Sequence, residues 1–232
     1  MYKVIKRVFD FLMALLALSV LSPILIVVCV GLLLTGEHEV FYFQQRIGRA
    51  GKVFDIWKFA TMLKNSPNIG TGTITTRNDP RVLPLGGFLR KTKLNELPQL
   101  INILIGNMSI IGPRPMVQRG YDAYSEETKK CISQMKPGLS GIGSVIFRDE
   151  EFYISQVEDV HGFVDKYVQP QKGDLERWYF HNRTTYVDMM IIFLTVWVVL
   201  FPKSDLVYKV FKTLPKVNLE KDVATFNATK VS

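Results

Sequence analysis

The chain has 232 residues, which is enough for one domain with a sizeable core or for one domain plus a membrane element. Its formal net charge of +8 predicts an anionic partner, whether nucleic acid, anionic lipid or a phosphorylated substrate, and the 47% hydrophobic content favours a membrane surface among these. The two cysteines belong to no CxxC or Cys/His cluster, so the sequence argues against a disulfide framework and a zinc signature.

A long apolar run covers residues 8–34 and is long enough to span a bilayer. Because Pro23 near its middle removes one helix hydrogen bond, we expect a sharp break there, with the Ser22 hydroxyl bonding back to a freed carbonyl. Lysines and arginines flank both ends, so the positive-inside rule gives no clear orientation. A re-entrant helix over residues 1–36, which enters and leaves by the cytoplasmic face, satisfies both flanks. A single-pass anchor is the alternative.

A β-hairpin is predicted after this helix. Residues 40–43 and 53–59 have the character of short strands, and a basic turn over residues 46–51 joins them. Lys58 lies near the end of the second strand. The alternative is a solvated basic hairpin that rests on anionic lipid.

The next segment, over residues 62–85, is polar and rich in glycine, asparagine and threonine, so we expect a loop. Within it, Asp79 and Arg81 stand on either side of a proline. They form an acid–base pair in a predicted turn.

The central stretch of the chain covers residues 90–115. Asn95 is predicted to cap a helix that ends at Gly106. Glu96 would then lie at the positive end of that helix, where phosphate groups bind readily. The predicted buried face consists of apolar residues at helical spacing: Leu97, Leu100, Ile101, Leu104 and Ile105.

The same stretch ends in a short proline-rich turn. Arg114 lies between Pro113 and Pro115, whose rings stiffen the backbone on both sides. A guanidinium held on a stiff turn suits bidentate recognition of phosphate. From the residues alone, an ordinary capped helix followed by a rigid loop explains the stretch equally well.

The last third of the chain is predicted to be mostly helical. Residues 117–136 indicate an amphipathic helix. The small residues within 138–153 allow close approach of the backbone to a ligand, and Arg148 lies in the same segment beside three acidic residues. Residues 187–201 are apolar but too short to span comfortably, so we expect a helix in the core or in the membrane interface. Residues 217–232 are predicted to be a disordered tail.

These elements predict an α+β fold that is mostly helical. A re-entrant membrane helix would precede a small domain at the membrane surface, over residues 37–216, with short strands and amphipathic interfacial helices.

Several long motifs together resemble the monotopic bacterial phosphoglycosyl transferases, a sugar-transferase family. Besides the apolar start with its Ser-Pro pair and the late apolar helix, the matching segments are FYFQQRIGRAGKVFDIWKFATM (41–62), NDPRVLPLGGFLRK (78–91), LNELPQLINILIGNMSIIGPRP (94–115) and KPGLSGIG (136–143). The resemblance covers roughly residues 1–205.

The resemblance implies transfer of a sugar-1-phosphate from a UDP-sugar to undecaprenyl phosphate or another polyprenyl phosphate, with Mg²⁺ as cofactor and UMP as product. Such transfer initiates lipid-linked glycan or exopolysaccharide synthesis. It implies a place in the bacterial inner membrane, with the catalytic domain in contact with lipids on the cytoplasmic face. Downstream membrane glycosyltransferases are implied partners, and a homo-oligomer is left open.

The resemblance also implies roles for individual residues. A catalytic Asp-Glu pair falls on Asn95 and Glu96, which are likewise the expected Mg²⁺ ligands. The residues expected to bind substrate or phosphate are Lys58, Asp79, Arg81, Arg90, Pro113, Arg114, Pro115 and Arg148. Asn95 replaces the nucleophilic Asp, and two nearby charged positions are also neutral, at Ala60 and Asn107.

The replacement at Asn95 leaves three explanations open. The chain is a working variant in which Glu96 or direct attack by the lipid phosphate replaces the covalent step, or a weak or inactive homologue that binds nucleotide sugar or lipid as a partner or regulator, or an engineered variant. A membrane-anchored nucleic-acid binder is disfavoured, because the sequence has no recognition motif or aromatic-basic platform.

Overall fold

The computed structural model describes residues 2–70, 75, 78–202 and 204–229, and this part of the chain is mostly helical, with two small sheets. The predicted α+β, mostly helical class is confirmed. The helices are α1 (Tyr2–Leu34), α2 (Pro84–Lys91), α3 (Gln99–Ile105), α4 (Gln118–Asp122), α5 (Glu126–Ile132), α6 (Ile142–Ile146), α7 (Glu150–Ile154), α8 (Val160–Phe163), α9 (Gln169–Asn182), α10 (Thr185–Leu200), α11 (Leu206–Val210) and α12 (Leu219–Ala228). The strands are β1 (Phe41–Ile47), β2 (Val53–Phe59), β3 (Ser109–Ile111) and β4 (Gly138–Ser140).

The two sheets each have two strands. β1 and β2 form an antiparallel hairpin in which Phe41 pairs with Phe59, and the predicted second strand is found with the predicted bounds. β3 and β4 are parallel. A Cβ atom on Gly138 would lie 2.2 Å from the amide nitrogen of Gly112, so this crossing requires glycine.

A kink at Ser22 and Pro23 stays a prediction, but helix α1 continues through Pro23 without interruption. The physical reason lies in one hydrogen bond. Pro23 has no N–H to donate to the carbonyl of Ser19, four residues earlier, and the Ser22 hydroxyl donates to that carbonyl instead, at 2.8 Å. The predicted role of Ser22 is therefore confirmed.

One stripe of α1 packs on the rest of the protein along the whole helix. Asp10 and Ala14 are buried in its first half, and Val28 and Leu32 in its second half. The helix is about 50 Å long at 1.5 Å per residue, and only its stripe is covered. The remaining surface of α1 is apolar and exposed, including Val4, Val8, Leu12, Leu16, Val20, Ile26, Val27, Leu33 and Leu34.

The N-terminal end of α1 is held by a buried carboxylate on α10. Asp188 accepts hydrogen bonds from the Tyr2 hydroxyl and the Lys6 ammonium, both at 2.8 Å, and from the Tyr179 hydroxyl at 2.6 Å. The guanidinium of Arg7 donates to backbone carbonyls at the end of α3. These contacts join α1 to α3, α9 and α10.

The late apolar helix was predicted correctly and is α10. It buries one face in the main core through Ile191, Leu194 and Val198. Its other face is exposed, with Phe193 and Val196 among its residues. The predicted core location is confirmed for the first face, and a place in the membrane interface for the exposed face stays a prediction.

Two predictions for the second half of the chain are wrong. The single helix over residues 117–136 is divided into α4 and α5, because the Ser125 side chain caps a new helix by accepting from the Thr128 N–H. The disordered tail is instead ordered as far as the structure describes it: α12 buries Leu219, Val223 and Phe226 against the main core. Residues 230–232 of the predicted tail lie outside the described residues.

Candidate active site

A lysine and a glutamate face each other where the hairpin meets the central stretch. Lys58 lies near the end of β2, and Glu96 lies in a 3₁₀ turn, Leu94–Glu96. The Lys58 Nζ atom is 4.0 Å from the Glu96 Oε1 atom, and the two side chains are 17% and 21% exposed. The structure thus brings together two residues that the sequence placed in one site.

A buried asparagine on α3 binds the strand that carries Lys58. The Asn102 Nδ2 atom donates to the carbonyl of Asp55 at 2.8 Å, and its Oδ1 atom accepts from the Trp57 N–H at 2.9 Å. A single amide therefore fixes α3 against β2 next to Lys58. Sequence reasoning missed Asn102, whose signal was a polar residue inside an apolar helix.

The site is electrostatically positive. Burial lowers the pKa of Lys58 to about 7, and the charges of Arg46, Arg114 and Arg90 act in the same direction, against that of Glu96. Burial opposes ionisation of Glu96, but the surrounding cations, with Lys58 first, lower its pKa overall. Glu96 is therefore ionised at neutral pH within a group of cations, and such a site attracts anions.

The proline-rich turn is held rigidly, as the sequence predicted. Pro113 and Pro115 are buried, whereas the Arg114 side chain between them is exposed. The carbonyl of Pro113 accepts from the Gly138 N–H at 2.8 Å, and the carbonyl of Pro115 accepts from Arg46 at 3.1 Å. Phosphate binding by this turn stays a prediction.

Arg46 is a further member of the site that sequence reasoning did not single out. It lies on β1, and its Nε atom is buried without a hydrogen-bond partner. Burial, followed by the charge of Arg114, lowers its pKa to about 10. Its position in the basic turn of the predicted hairpin was the available signal.

Asn95 does not cap a helix, and this prediction is wrong. Lys93 has a left-handed backbone with φ of 60°, which starts the 3₁₀ turn, and α3 begins later with Pro98 at its N-cap. Glu96 therefore precedes α3 and is not in its first turn. The Asn95 side chain is buried, and its Oδ1 atom has no hydrogen-bond partner, nor has the Nε2 atom of Gln99.

The buried face of α3 is only partly the predicted one. Leu100 and Ile103 are buried, but Ile105 is 61% exposed, and Gln99 and Asn102 share the buried face. The predicted helix end at Gly106 is confirmed, because Gly106 has a φ of 99° and donates to the Asn102 carbonyl.

The other predicted phosphate ligands have different surroundings. Arg90 contacts the sulfur of Met62 at 3.7 Å and pairs with Glu151 at 3.2 Å, and its charge acts on Lys58 and Glu96. Arg81 is paired with Asp79 and also donates to two carbonyls of its own loop. These contacts hold the loop, so a role for Asp79 and Arg81 in binding phosphate stays a prediction.

The buried carboxylate of Glu176 contacts the backbone of the proline-rich turn. The Glu176 Oε1 atom accepts from the Arg114 N–H at 3.2 Å, while its Oε2 atom is buried without a partner. Burial raises the pKa of Glu176 to about 7. Lys172 nearby is paired with Glu150. Arg148, predicted to bind phosphate, has a buried Nη1 atom without a hydrogen-bond partner, and its role also stays a prediction.

The site has few ligands for a metal ion. Within the described residues, no three His, Cys, Asp or Glu side chains cluster as a metal site. Glu96 supplies one carboxylate, and the partnerless Asn95 Oδ1 atom supplies one amide oxygen. This set fits Mg²⁺ only as an ion shared with substrate phosphates, which is how Mg²⁺ is commonly held.

The chain is similar in sequence to a known family of proteins. A family model described as bacterial sugar transferase matches residues 1–202. The exopolysaccharide production protein ExoY of Sinorhizobium fredii is 35% identical, over 82% of this chain and 83% of its own length.

Two longer relatives are similar as well. The UDP-glucose:undecaprenyl-phosphate glucose-1-phosphate transferase of Escherichia coli K12 is 35% identical over 84% of this chain. The undecaprenyl-phosphate galactose phosphotransferase of Salmonella typhimurium is 32% identical over 84% of this chain. In both cases the match covers only 40% of the relative's length.

Proposed function

The chain belongs to the bacterial sugar transferase family, and we propose that it transfers a sugar-1-phosphate from a UDP-sugar to undecaprenyl phosphate or another polyprenyl phosphate. The reaction would start lipid-linked glycan or exopolysaccharide synthesis, in line with the names of its relatives. The single observation that carries the proposal is the Lys58–Glu96 pair, partly exposed and surrounded by arginines. Both substrates bear phosphates, and this site favours them.

The proposed chemistry is a direct displacement. An oxygen of the polyprenyl phosphate attacks the phosphorus that carries the sugar, the bond to the oxygen of UMP breaks, and UMP leaves with that electron pair. The neutral, buried Asn95 amide cannot act as a carboxylate nucleophile, so we infer that the lipid phosphate attacks directly and that no enzyme-bound intermediate forms.

The residues of the chain stabilise charge and hold the reactants in this step. Lys58 and Arg114 would offset the negative charge of the diphosphate, and ionised Glu96 helps to keep Lys58 protonated. Glu96 and the Asn95 amide oxygen would hold Mg²⁺, which, when bound, supplies further charge neutralisation to the phosphates.

The packing of α1 supports a location on one side of the membrane. Both halves of the helix contact the same polar domain, so the two ends cannot lie on opposite sides of a bilayer without burying that domain in lipid. We place the chain at the cytoplasmic face of the bacterial inner membrane, with α1 lying within the bilayer and not crossing it. Labelling of a cysteine placed at Glu37 by a reagent restricted to the periplasm would contradict this.

Release of UMP tests the activity. The assay uses a panel of UDP-sugars, undecaprenyl phosphate and Mg²⁺, and compares the unaltered chain with Glu96→Gln, Asn95→Asp and the exposed control Glu158→Gln. We expect activity in the unaltered chain and in the control, and its loss in Glu96→Gln. Activity only in Asn95→Asp would make the chain a weak or inactive homologue that binds nucleotide sugar or lipid as a partner or regulator.

Two further partners stay part of the proposal. Downstream membrane glycosyltransferases would use its lipid-linked product, and a homo-oligomer stays a prediction. Co-purification from native membranes tests both.

A further inference from the structure

A cavity of about 210 Å³ lies beyond the described site, where α1 ends. Its walls are the last turn of α1, the residues that follow β2, and the start of α2. Leu32, Ala60, Met62, Leu83 and Leu85 give it a mostly apolar lining. Nothing in the proposed transfer of phosphate uses this space.

The cavity adjoins the cationic site. Met62 lines it, and the Met62 sulfur lies 3.7 Å from the Arg90 guanidinium, whose charge acts on Lys58 and Glu96. Leu85 and Arg90 are five residues apart on α2, which corresponds to about 7.5 Å along the helix axis. A ligand with an anionic head at Arg90 would reach the cavity with an apolar tail.

Residues close in the chain to the cavity lining present apolar surface suited to lipid. Leu33 and Leu34 in the last turn of α1 are 52% and 74% exposed, and Phe88 on α2 is 57% exposed. An acyl or prenyl chain could pass from the bilayer into the cavity over these apolar side chains without crossing water.

The charges at the cavity select the orientation of such a ligand. Glu37 and Glu39 also line the cavity, where Glu39 pairs with Lys64 and Glu37 accepts from the Lys64 N–H. Carboxylates there disfavour a phosphate in the cavity, and the apolar lining disfavours a nucleotide. The anionic head group of the ligand would therefore lie near Arg90.

Resting on the proposed function, we propose that this cavity binds the first isoprene units of the polyprenyl phosphate acceptor, with the phosphate at Arg90 and Lys58. The size is suitable, because an apolar cavity of about 150 Å³ holds a six-carbon benzene ring, so about 210 Å³ holds between one and two five-carbon units. The cavity thus orients the acceptor phosphate toward the sugar-bearing phosphorus.

The first test fills the cavity. Ala60→Leu adds three carbons to its wall, and the same change at the exposed Ala123 is the control. For UMP release we expect Ala60→Leu to raise the KM for undecaprenyl phosphate about tenfold or more and to leave the KM for the UDP-sugar unchanged. A rise in the KM for the UDP-sugar alone would assign the cavity to the nucleotide, and two unchanged constants would leave it without a ligand; either result overturns the proposal.

The second test needs neither turnover nor a variant. The unaltered chain in detergent is irradiated with a polyprenyl phosphate that carries a photoreactive group on its first isoprene unit, and labelled peptides are identified by mass spectrometry. We expect labels at residues 60–62 and 83–85, which excess undecaprenyl phosphate abolishes. Labels restricted to the exposed faces of α1 and α10 would overturn the cavity assignment even if the transferase activity is confirmed, and labels at the expected residues in a chain without turnover would keep the cavity and reject the activity.

Discussion

The carboxylates of Asp188, which is buried, and of Glu96, which is partly exposed, have opposite surroundings. Both oxygens of Asp188 accept hydrogen bonds, from Tyr2, Lys6 and Tyr179, and its side chain is 5% exposed. Glu96 has one distant cation at 4.0 Å, and close to it in the chain the Asn95 side chain has a buried polar atom without a partner. Buried polar groups are normally satisfied, so unsatisfied ones mark a place where a ligand completes the network. Asp188 holds the fold together, whereas Glu96 belongs to the proposed active site.

The largest effect on activity is expected from a substitution of Lys58, the cation that faces Glu96. Lys58→Met should lower kcat/KM for UMP release by about 10³-fold, because a charge that stabilises the transition state is lost. The free energy of unfolding should stay the same or rise, since the buried lysine is costly to keep charged. Steady-state kinetics and denaturant unfolding check the two parts. A fall in both quantities would make Lys58 a structural residue like Asp188.

A substitution of Asp188 should instead lower stability and leave activity nearly unchanged. Asp188→Asn breaks a buried ion pair and should lower the free energy of unfolding by about 3 kcal/mol, while kcat per folded molecule changes little. Chemical denaturation in detergent measures this, with the exposed Asp205→Asn as control. Adding Lys6→Met to the variant should restore part of the loss, because the unpaired cation is then removed. Without any restoration, the pair would not be the source of the stability.

The pH dependence separates binding from stability at Lys58. Its pKa of about 7 means that it loses its proton as the pH rises from 6 to 8, so UDP binding measured by calorimetry should weaken by up to about tenfold per pH unit above 7. In the unfolded chain the lysine keeps its proton up to its ordinary pKa of 10.5, so between pH 7 and 10.5 this group makes the free energy of unfolding rise with pH. Lys58→Arg should flatten the binding profile. A profile that the substitution leaves unchanged would assign the titration to another group.

The smallest effect concerns α1. Ser22→Ala removes the hydrogen bond to the Ser19 carbonyl and should cost about 0.5–1.5 kcal/mol of local stability. Hydrogen exchange of the amides that follow Pro23 should become several-fold faster. Ser19→Ala is the matched control, because the backbone carbonyl of Ser19 is the acceptor and is retained. Equal exchange in both variants would contradict the assigned role of the Ser22 hydroxyl.

Local patterns predicted the elements whose cause is local. Alternation predicted β2 with its observed bounds, the apolar run predicted α10, and Gly106 ended α3 because only glycine takes its left-handed backbone easily. The motifs predicted the family and brought Lys58 and Glu96 into one site.

Features that depend on distant partners were not predictable in the same way. The roles of Asp188, Glu176 and Asn102 come from residues far away in the sequence, and one sequence gives no sign of those partners. Asn95 was predicted as a cap because its residue type favours caps, but the left-handed backbone at Lys93 started a 3₁₀ turn first. Local preference is overruled where tertiary packing sets the backbone.

The contacts of α1 also constrain how the chain is made. Lys6 and its partner Asp188 are 182 residues apart, and α1 also contacts residues around position 105. At about 5–20 residues per second, translation delivers Asp188 roughly 10–40 s after Lys6. During that interval α1 has no completed docking surface, and its apolar face must be sheltered by lipid or by a targeting factor. With α1 placed in the membrane as proposed, the bilayer would be the first folding partner of this chain, and the domain would fold while already tethered to it.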